Sequence, residues 1–229
     1  MKTQNLGAVL IKQKHKLSVM NLEVPKVPKK YVLVKMLYAG ICHTQLNEIS
    51  GILGKDKFLP HCIGHEGVGQ VVKIGKNVNN FKIGDSVVIS WIKKKVNRVY
   101  DRVNYQFKGN IINTGGCNTL LKYSLISDDR LFKIKKKNFK YLRESVLLGC
   151  AIPTASNAIL NQARIEKNSR VLIMGMGGLG YSSLFVLNYL NCKEIVCIDN
   201  NINKLKILKK NKNFKFFHLN NKNFKKFLN

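Results

Sequence analysis

Acidic side chains are scarce in this sequence: 12 Asp and Glu stand against 40 Lys and Arg, for a formal net charge of +28 over 229 residues. So basic a balance raises nucleic acid or an anionic membrane surface as partners, because the summed field attracts polyanions. The pattern such a partner needs is missing. Lysines are spread along the whole chain among asparagine and isoleucine, with no basic stripe interleaved with aromatic residues. The charge therefore reads as lysine-rich composition, and a basic nucleic-acid-binding protein stays as the outlying alternative. No CxxC pair occurs among the six cysteines, Cys42, Cys62, Cys117, Cys150, Cys192 and Cys197, so a structural zinc knuckle is not expected. The first ten residues hold no sustained apolar run, which argues against a secretory signal. A reducing, cytoplasmic setting follows, where cysteines are core, metal-binding or catalytic. Internal repeats are absent too.

What is present is ordinary for a folded chain: 45% hydrophobic and 23% charged residues, enough for one large domain or two small ones. Residues 171–192 carry no charge, a run long enough to span a bilayer. Four glycines crowd its first half and Ser182, Ser183 and Asn188 follow, so a buried strand, turn and helix fits it better, and no membrane partner is expected.

The first part of the chain reads as β. "YVLVKMLYAG" (residues 31–40) is a β-branched and aromatic run closed by glycine, and "GVGQVVKIG" and "DSVVIS" are short strands separated by turn material. Short strands of this kind over about 90 residues suggest a small barrel or sandwich. Beyond residue 141 the period changes to helical, with a break predicted around Pro153. "RVLIMGMGGLG", "YSSLFVLNYL", "EIVCID" and "NKLKILKK" then read as strand, helix, strand and basic helix, the mark of a parallel sheet with covered faces. The tail predicts one more strand over residues 214–219 and the start of a helix, three strands where a doubly wound sheet usually has five or six.

Gly175, Gly177, Gly178 and Gly180 form G-x-G-G-x-G directly after a strand and at the start of a helix. That context is what a dinucleotide site requires. Gly175 permits the tight turn, Gly177 has no side chain to hold off a pyrophosphate, and Gly180 lets helix and strand pack closely. The helix N-terminus offers free N–H groups and roughly half a positive charge to the phosphates. Asp199 ends the second strand; its carboxylate can accept from both ribose hydroxyls and repel a 2′-phosphate, which favours NAD over NADP. The plainer alternative is a packing turn with Asp199 as a helix cap. Lys204, one helical turn on, either flanks the adenosine ribose or is simply solvated.

In "LPHCIGHEGVGQVVKIG" a histidine and a glutamate, His65 and Glu66, stand side by side between glycines. They are either polar residues at a turn or part of a metal site, which needs three Cys, His or carboxylate ligands and a fourth position open for catalysis. Cys42 in "GICHT" and Cys150 in "LLGCAIPT" are the other candidates beside glycines. Any one of these alone is more often a core residue.

Taken in order, "GICHT", "PHCIGHEGVGQVVKIG", "GDSVVI", "LLGCAIPT" and "VLIMGMGGLG…CID" resemble the zinc-dependent medium-chain alcohol dehydrogenases over nearly all 229 residues. The resemblance implies a fold that is α/β with β: a GroES-like β-barrel zinc-binding catalytic domain over residues 1–150, followed by a partial Rossmann domain, parallel and doubly wound, of about three strands over residues 151–229. It implies Cys42, His65 and Cys150 as ligands of one catalytic zinc, with Glu66 close behind the metal. It makes Thr44 the hydroxyl that hands the alcohol proton onward, sets His43 against the cofactor pyrophosphate and brings Thr154 near the nicotinamide. NAD is the implied cofactor and a small alcohol or polyol the implied substrate.

The chain departs from the family's pattern in several places. The lobe with four closely spaced cysteines is lacking, since residues 91–119 hold only Cys117, so no structural zinc is expected and Cys117 reads as a small buried residue. A relay histidine five residues after the first ligand is replaced by Asn47, and an acid three after it by Gln45, which weakens the support expected around the metal. The family runs for over a hundred further residues, so the chain reads as C-terminally truncated, with an exposed strand edge and a homo-oligomer possible if completed. The expected function is a zinc- and NAD-dependent alcohol dehydrogenase; a non-catalytic remnant with weak nucleotide binding is the second reading.

Overall fold

The computed structural model describes residues 4–94, 103–208 and 214–220. The chain divides into two compact units, Met1–Cys150 and Ala151–Asn229.

In the first unit the elements are β1 (Leu6–Leu10), β2 (Ser18–Asn21), β3 (Tyr31–Ala39), α1 (His43–Ser50), β4 (His61–Cys62), β5 (Gly67–Ile74), β6 (Ser86–Ile89), β7 (Tyr105–Phe107), β8 (Asn110–Ile112), β9 (Tyr123–Ser127) and β10 (Leu131–Lys133). Five strands make a curled antiparallel sheet in the order β10-β6-β5-β3-β9. A second sheet runs β2-β1-β4, and β7 pairs with β8. The strand read from the β-branched run at residues 31–40 is there: its Val32 and Val34 point inward and meet Val71, Val87, Ile89, Ile126 and Leu131. Each such buried aliphatic side chain contributes about 1.5–3 kcal/mol. Two register shifts between β3 and β5 bend the pair. Gly69 sits at the closest approach, where a Cβ would lie 2.5 Å from the Lys35 carbonyl oxygen. The β7–β8 hairpin is anchored by Tyr105, whose buried hydroxyl donates to the Tyr123 carbonyl at 3.3 Å and accepts the Leu125 N–H at 2.8 Å.

The unit closes with 3-10 turns at Lys136–Tyr141 and Glu144–Gly149. The break predicted at Pro153 falls earlier, at Cys150, whose backbone (φ −146°, ψ −64°) leaves helical space. Pro153 itself lies in the first turn of α2 (Ala151–Asn157), where a helix has no use for its N–H.

In the second unit α2 is followed by β11 (Arg170–Met174), α3 (Gly178–Tyr189), β12 (Glu194–Asp199), α4 (Ile202–Leu208) and β13 (Phe214–His218). The sheet is parallel, ordered β11-β12-β13. Ile159, Ile173, Met176, Leu184, Leu187, Ile195 and Cys197 form its core. From Ile195 on, β12 is buried throughout, as a strand covered on both faces should be. The apolar run of β11 differs: Leu172 is 43% and Met174 72% exposed. Among the described residues β11 pairs only with β12, so it is an edge, and its second face is left open. The charge-free stretch is therefore strand, turn and a 12-residue helix; no helix among the described residues is long and apolar enough to cross a membrane. The helix start expected after residue 220 lies outside the described residues.

Candidate metal centre and dinucleotide turn

Three remote points of the first unit bring Cys42, His65 and Cys150 together, all half-buried, with their ligand atoms within 4.8 Å of one another. Cys42 is the N-cap of α1, in extended conformation (φ −85°, ψ 154°), and forms a capping box with Gln45 three residues on. His65 follows Gly64, whose φ of +99° turns the chain between β4 and β5. A Cβ on Gly64 would meet Thr119 Oγ1 at 2.6 Å, so the turn also needs the room. Cys150 sits where the last 3-10 turn ends. Tetrahedral zinc with bonds near 2.3 Å spaces its ligand atoms roughly 3.8 Å apart, so the three need to close by about an ångström at most.

The donor set fits such an ion. Burial lowers the pKa of His65 below its usual 6.5, which keeps the imidazole neutral with a lone pair to offer at neutral pH. Its Nδ1 faces Gln45 Nε2 at 2.6 Å. The support that replacing an acid by Gln45 was expected to weaken is thus still contacted, by an amide. Gln45 Oε1 in turn accepts the Cys42 backbone N–H at 2.8 Å.

Glu66 is buried, directly behind His65 in the chain. Two glycines make its space: a Cβ on Gly40 would lie 2.7 Å from Glu66 Oε1, and one on Gly149 would lie 2.8 Å from Glu66 Cβ. Thr44 and His43 are exposed in the first turn of α1, and Thr44 Oγ1 is 3.6 Å from Cys42 Sγ. Cys117 is a small buried residue, as read from the sequence: its thiol donates to the Ser90 carbonyl at 3.1 Å, and burial pushes its pKa up to about 11.

Sequence reasoning missed a cavity of about 630 Å³ in this unit, lined by His65 and Gln45 together with Trp91, His61, Cys117 and Arg130. Arg130 reaches the Trp91 carbonyl and the Cys117 sulfur from its wall. The contact between His61 Nε2 and Asp56 Oδ2 (2.7 Å) also lines it. The one tryptophan of the chain, placed just after a strand, was the only signal.

In the second unit Gly175 has φ +92°, the left-handed turn that favours glycine, and its N–H is held by the Ile198 carbonyl at 2.8 Å. Gly177 is the N-cap of α3 and Gly178 its first residue. Gly180 is buried, and a Cβ there would lie 2.1 Å from the Gly175 carbonyl oxygen. Thr154 is half-buried on α2.

Asp199 ties this turn together. Its Oδ2 accepts the Met176 N–H at 2.7 Å and lies 3.3 Å from Lys204 Nζ, while Oδ1 accepts the Asn201 N–H at 2.7 Å. These bonds hold its carboxyl below the usual range: the Asn201 bond does most, burial opposes it as the next largest cause, and the Met176 bond and Lys204 add to the lowering. Three of roughly four acceptor sites on the carboxylate are thus taken. Lys204 is the partner of Asp199, and its carbonyl accepts from the Tyr181 hydroxyl at 2.9 Å. Met176, fully buried with its N–H on Asp199, is a second residue that the spacing of glycines did not disclose.

Comparison with known proteins gives relatives in both sequence and fold. Residues 28–136 match the alcohol dehydrogenase GroES-like domain family. The chain is 28% identical over 228 residues to alcohol dehydrogenase class-3 of Drosophila melanogaster, covering 89% of this chain and 59% of that one. It is 28% identical over 212 residues to S-(hydroxymethyl)glutathione dehydrogenase of Komagataella pastoris, covering 82% and 55%. Its fold is similar to an alcohol dehydrogenase zinc-binding domain protein of Burkholderia ambifaria (TM-score 0.83, 20% identity, 94% of this chain and 64% of that one). It is similar also to benzyl alcohol dehydrogenase of Acinetobacter calcoaceticus (TM-score 0.77, 23% identity, 94% and 64%). The chain spans less than three fifths of the length of these curated relatives. Residues 28–136 thus match the GroES-like domain family of alcohol dehydrogenases, and the chain is similar in sequence and in fold to zinc-type alcohol dehydrogenases.

Proposed function

We propose that the chain has the site chemistry of a zinc- and NAD-dependent alcohol dehydrogenase acting on a small alcohol or polyol. The observation that carries this reading is the convergence of two cysteines and a histidine within 4.8 Å. Cys42, His65 and Cys150 would hold the metal, and as two thiolates and a neutral imidazole they would leave the loaded centre without net charge. A zinc ion there would supply Lewis acidity, making the hydroxyl of an alcohol in the open position easier to deprotonate. Burial of His65 serves this by keeping the ligand uncharged. The Thr44 hydroxyl, exposed beside Cys42, would take the proton from that hydroxyl and pass it to solvent. Glu66 backs the ligand loop in a pocket that Gly40 and Gly149 leave open.

NAD would supply the hydride acceptor. For it, the free N–H groups at the start of α3 form a pyrophosphate seat beside Gly177 and Gly178, and the proposed contacts of His43 and Thr154 follow from the family likeness. Asp199 would accept from a ribose hydroxyl and repel a 2′-phosphate, so NAD is favoured over NADP. Lys204 then holds Asp199 rather than the ribose.

A second reading, nucleotide binding without turnover, is favoured by the three-strand sheet, which has the glycine turn and its acid but an open edge at β11 among the described residues. Zinc content, with NADH formation from a panel of alcohols and polyols and calorimetry of ADP-ribose, separates the two. Zinc and hydride transfer together support the first, and ADP-ribose binding alone supports the second. Metal-free protein whose stability is unchanged by zinc counts against the first.

A further inference from the structure

The amide of Gln45 is oriented by a neighbour that can only donate. The Cys42 backbone N–H points at Gln45 Oε1 (2.8 Å), so Nε2 is the end that faces His65 Nδ1 at 2.6 Å. An amide nitrogen has two hydrogens and no lone pair to offer, so Nδ1 must accept. A neutral imidazole that accepts at Nδ1 carries its only proton on Nε2. Gln45 is 1% exposed, so bulk water does not compete for either bond.

A metal ion asks for the opposite arrangement. With Nδ1 taken up by the amide, Nε2 is the nitrogen left to coordinate, and it must be bare. The proton then moves to Nδ1, where it needs an acceptor. Gln45 cannot serve both neighbours in that state. Turning its amide over offers Oε1 to Nδ1–H but sets Nε2 against the Cys42 N–H, and one buried donor loses its partner. A carboxylate of the same length has two acceptor oxygens and satisfies both donors at once.

We propose that Gln45 holds metal-free His65 as the Nε2–H tautomer and thereby sets a weak metal affinity at the Cys42, His65 and Cys150 centre. This rests on reading that centre as a zinc site. Gln45 is a positioning residue, acting on the metal only through the ring of His65.

The test uses the full chain and its Gln45→Glu variant, which keeps the side-chain length. The tautomer of His65 is read without metal from the ¹⁵N chemical shifts of its ring, and zinc affinity is read by competition with a chromophoric chelator. The expected result is an Nε2–H ring in the original protein, an Nδ1–H ring in the variant, and zinc bound about 10–100-fold tighter by the variant. An original protein already in the Nδ1–H form overturns the proposal, and that measurement needs no variant to fold. So does a variant whose affinity stays within about twofold, since the hydrogen-bond partner of a ligating histidine is worth more than that. If neither protein binds zinc, the metal reading fails, and the tautomers distinguish that failure from this one.

Discussion

Adding one methyl group at Gly180 should separate what the glycine turn does for the fold from what it does for a ligand. A Cβ there would lie 2.1 Å from the Gly175 carbonyl oxygen, against 3.4 Å for the start of ordinary contact. The start of α3 would have to retreat by about 1.3 Å, and the obstacle is backbone held by the Gly175–Ile198 hydrogen bond, which cannot swing aside. Overpacking of this kind costs about 1–3 kcal/mol. Alanine's better helix propensity returns up to about 1 kcal/mol. Gly180→Ala should therefore be roughly 1–2 kcal/mol less stable, read as a lower urea midpoint at unchanged slope. Gly177→Ala is its counterpart: a Cβ there meets nothing within 4 Å, so the fold should hold while a methyl group intrudes on the pyrophosphate seat. ADP-ribose binding by Gly177→Ala should weaken by about tenfold or more, roughly 1.4 kcal/mol. A Gly180→Ala protein as stable as its parent would refute the packing account, and a Gly177→Ala protein that binds normally would refute the phosphate seat.

Cys150→Ser should bring zinc content from about one ion per chain to near zero, measured by plasma emission after dialysis, and chelator should then no longer lower its thermal midpoint. Because burial depresses the pKa of His65, the unfolded chain takes up that proton first, so metal-free protein should lose stability as the pH falls below about 6.5. Denaturant midpoints across that range should show a steeper fall than in His65→Gln. Asp199→Ala strands the buried Met176 N–H and should cost about 1–3 kcal/mol in urea unfolding. If the +28 charge is compositional, duplex DNA binding read by fluorescence anisotropy should be weak and vanish by about 0.15 M salt.

Much of the fold is legible wherever a single local rule acts. The strands β3, β5 and β6 and the β11–α3–β12 run show in the sequence because β-branched runs stand between turn residues, and Gly40, Gly175 and Gly180 are needed where they stand. The helical break is displaced from Pro153 to Cys150 because a proline in the first turn costs the helix nothing. The openness of β11 is invisible in its apolar run, because edge or centre depends on what pairs beyond it. In the site, the types of Cys42, His65 and Cys150 suggest a metal, but their meeting depends on three turns far apart in sequence. The way Gln45 faces is beyond spacing altogether: it follows from a backbone N–H three residues away and a ring twenty residues away. Asp199 shows the same limit, since its bond to Met176 makes it part of the turn as well as a candidate ribose acceptor.

The distance along the chain between the converging ligands has a consequence of its own. Cys42 and Cys150 stand more than a hundred residues apart, so an ion shared by them and His65 would act as a cross-link around most of the first unit. In the chain-entropy picture a closure of roughly 100 residues restricts the unfolded ensemble by about 4–5 kcal/mol, depending on the model. Loading with metal should then slow amide hydrogen exchange well beyond its immediate ligands, in β5 and β6 and in the 3-10 turn that ends at Gly149, so that a small inorganic guest governs how often a whole sheet opens.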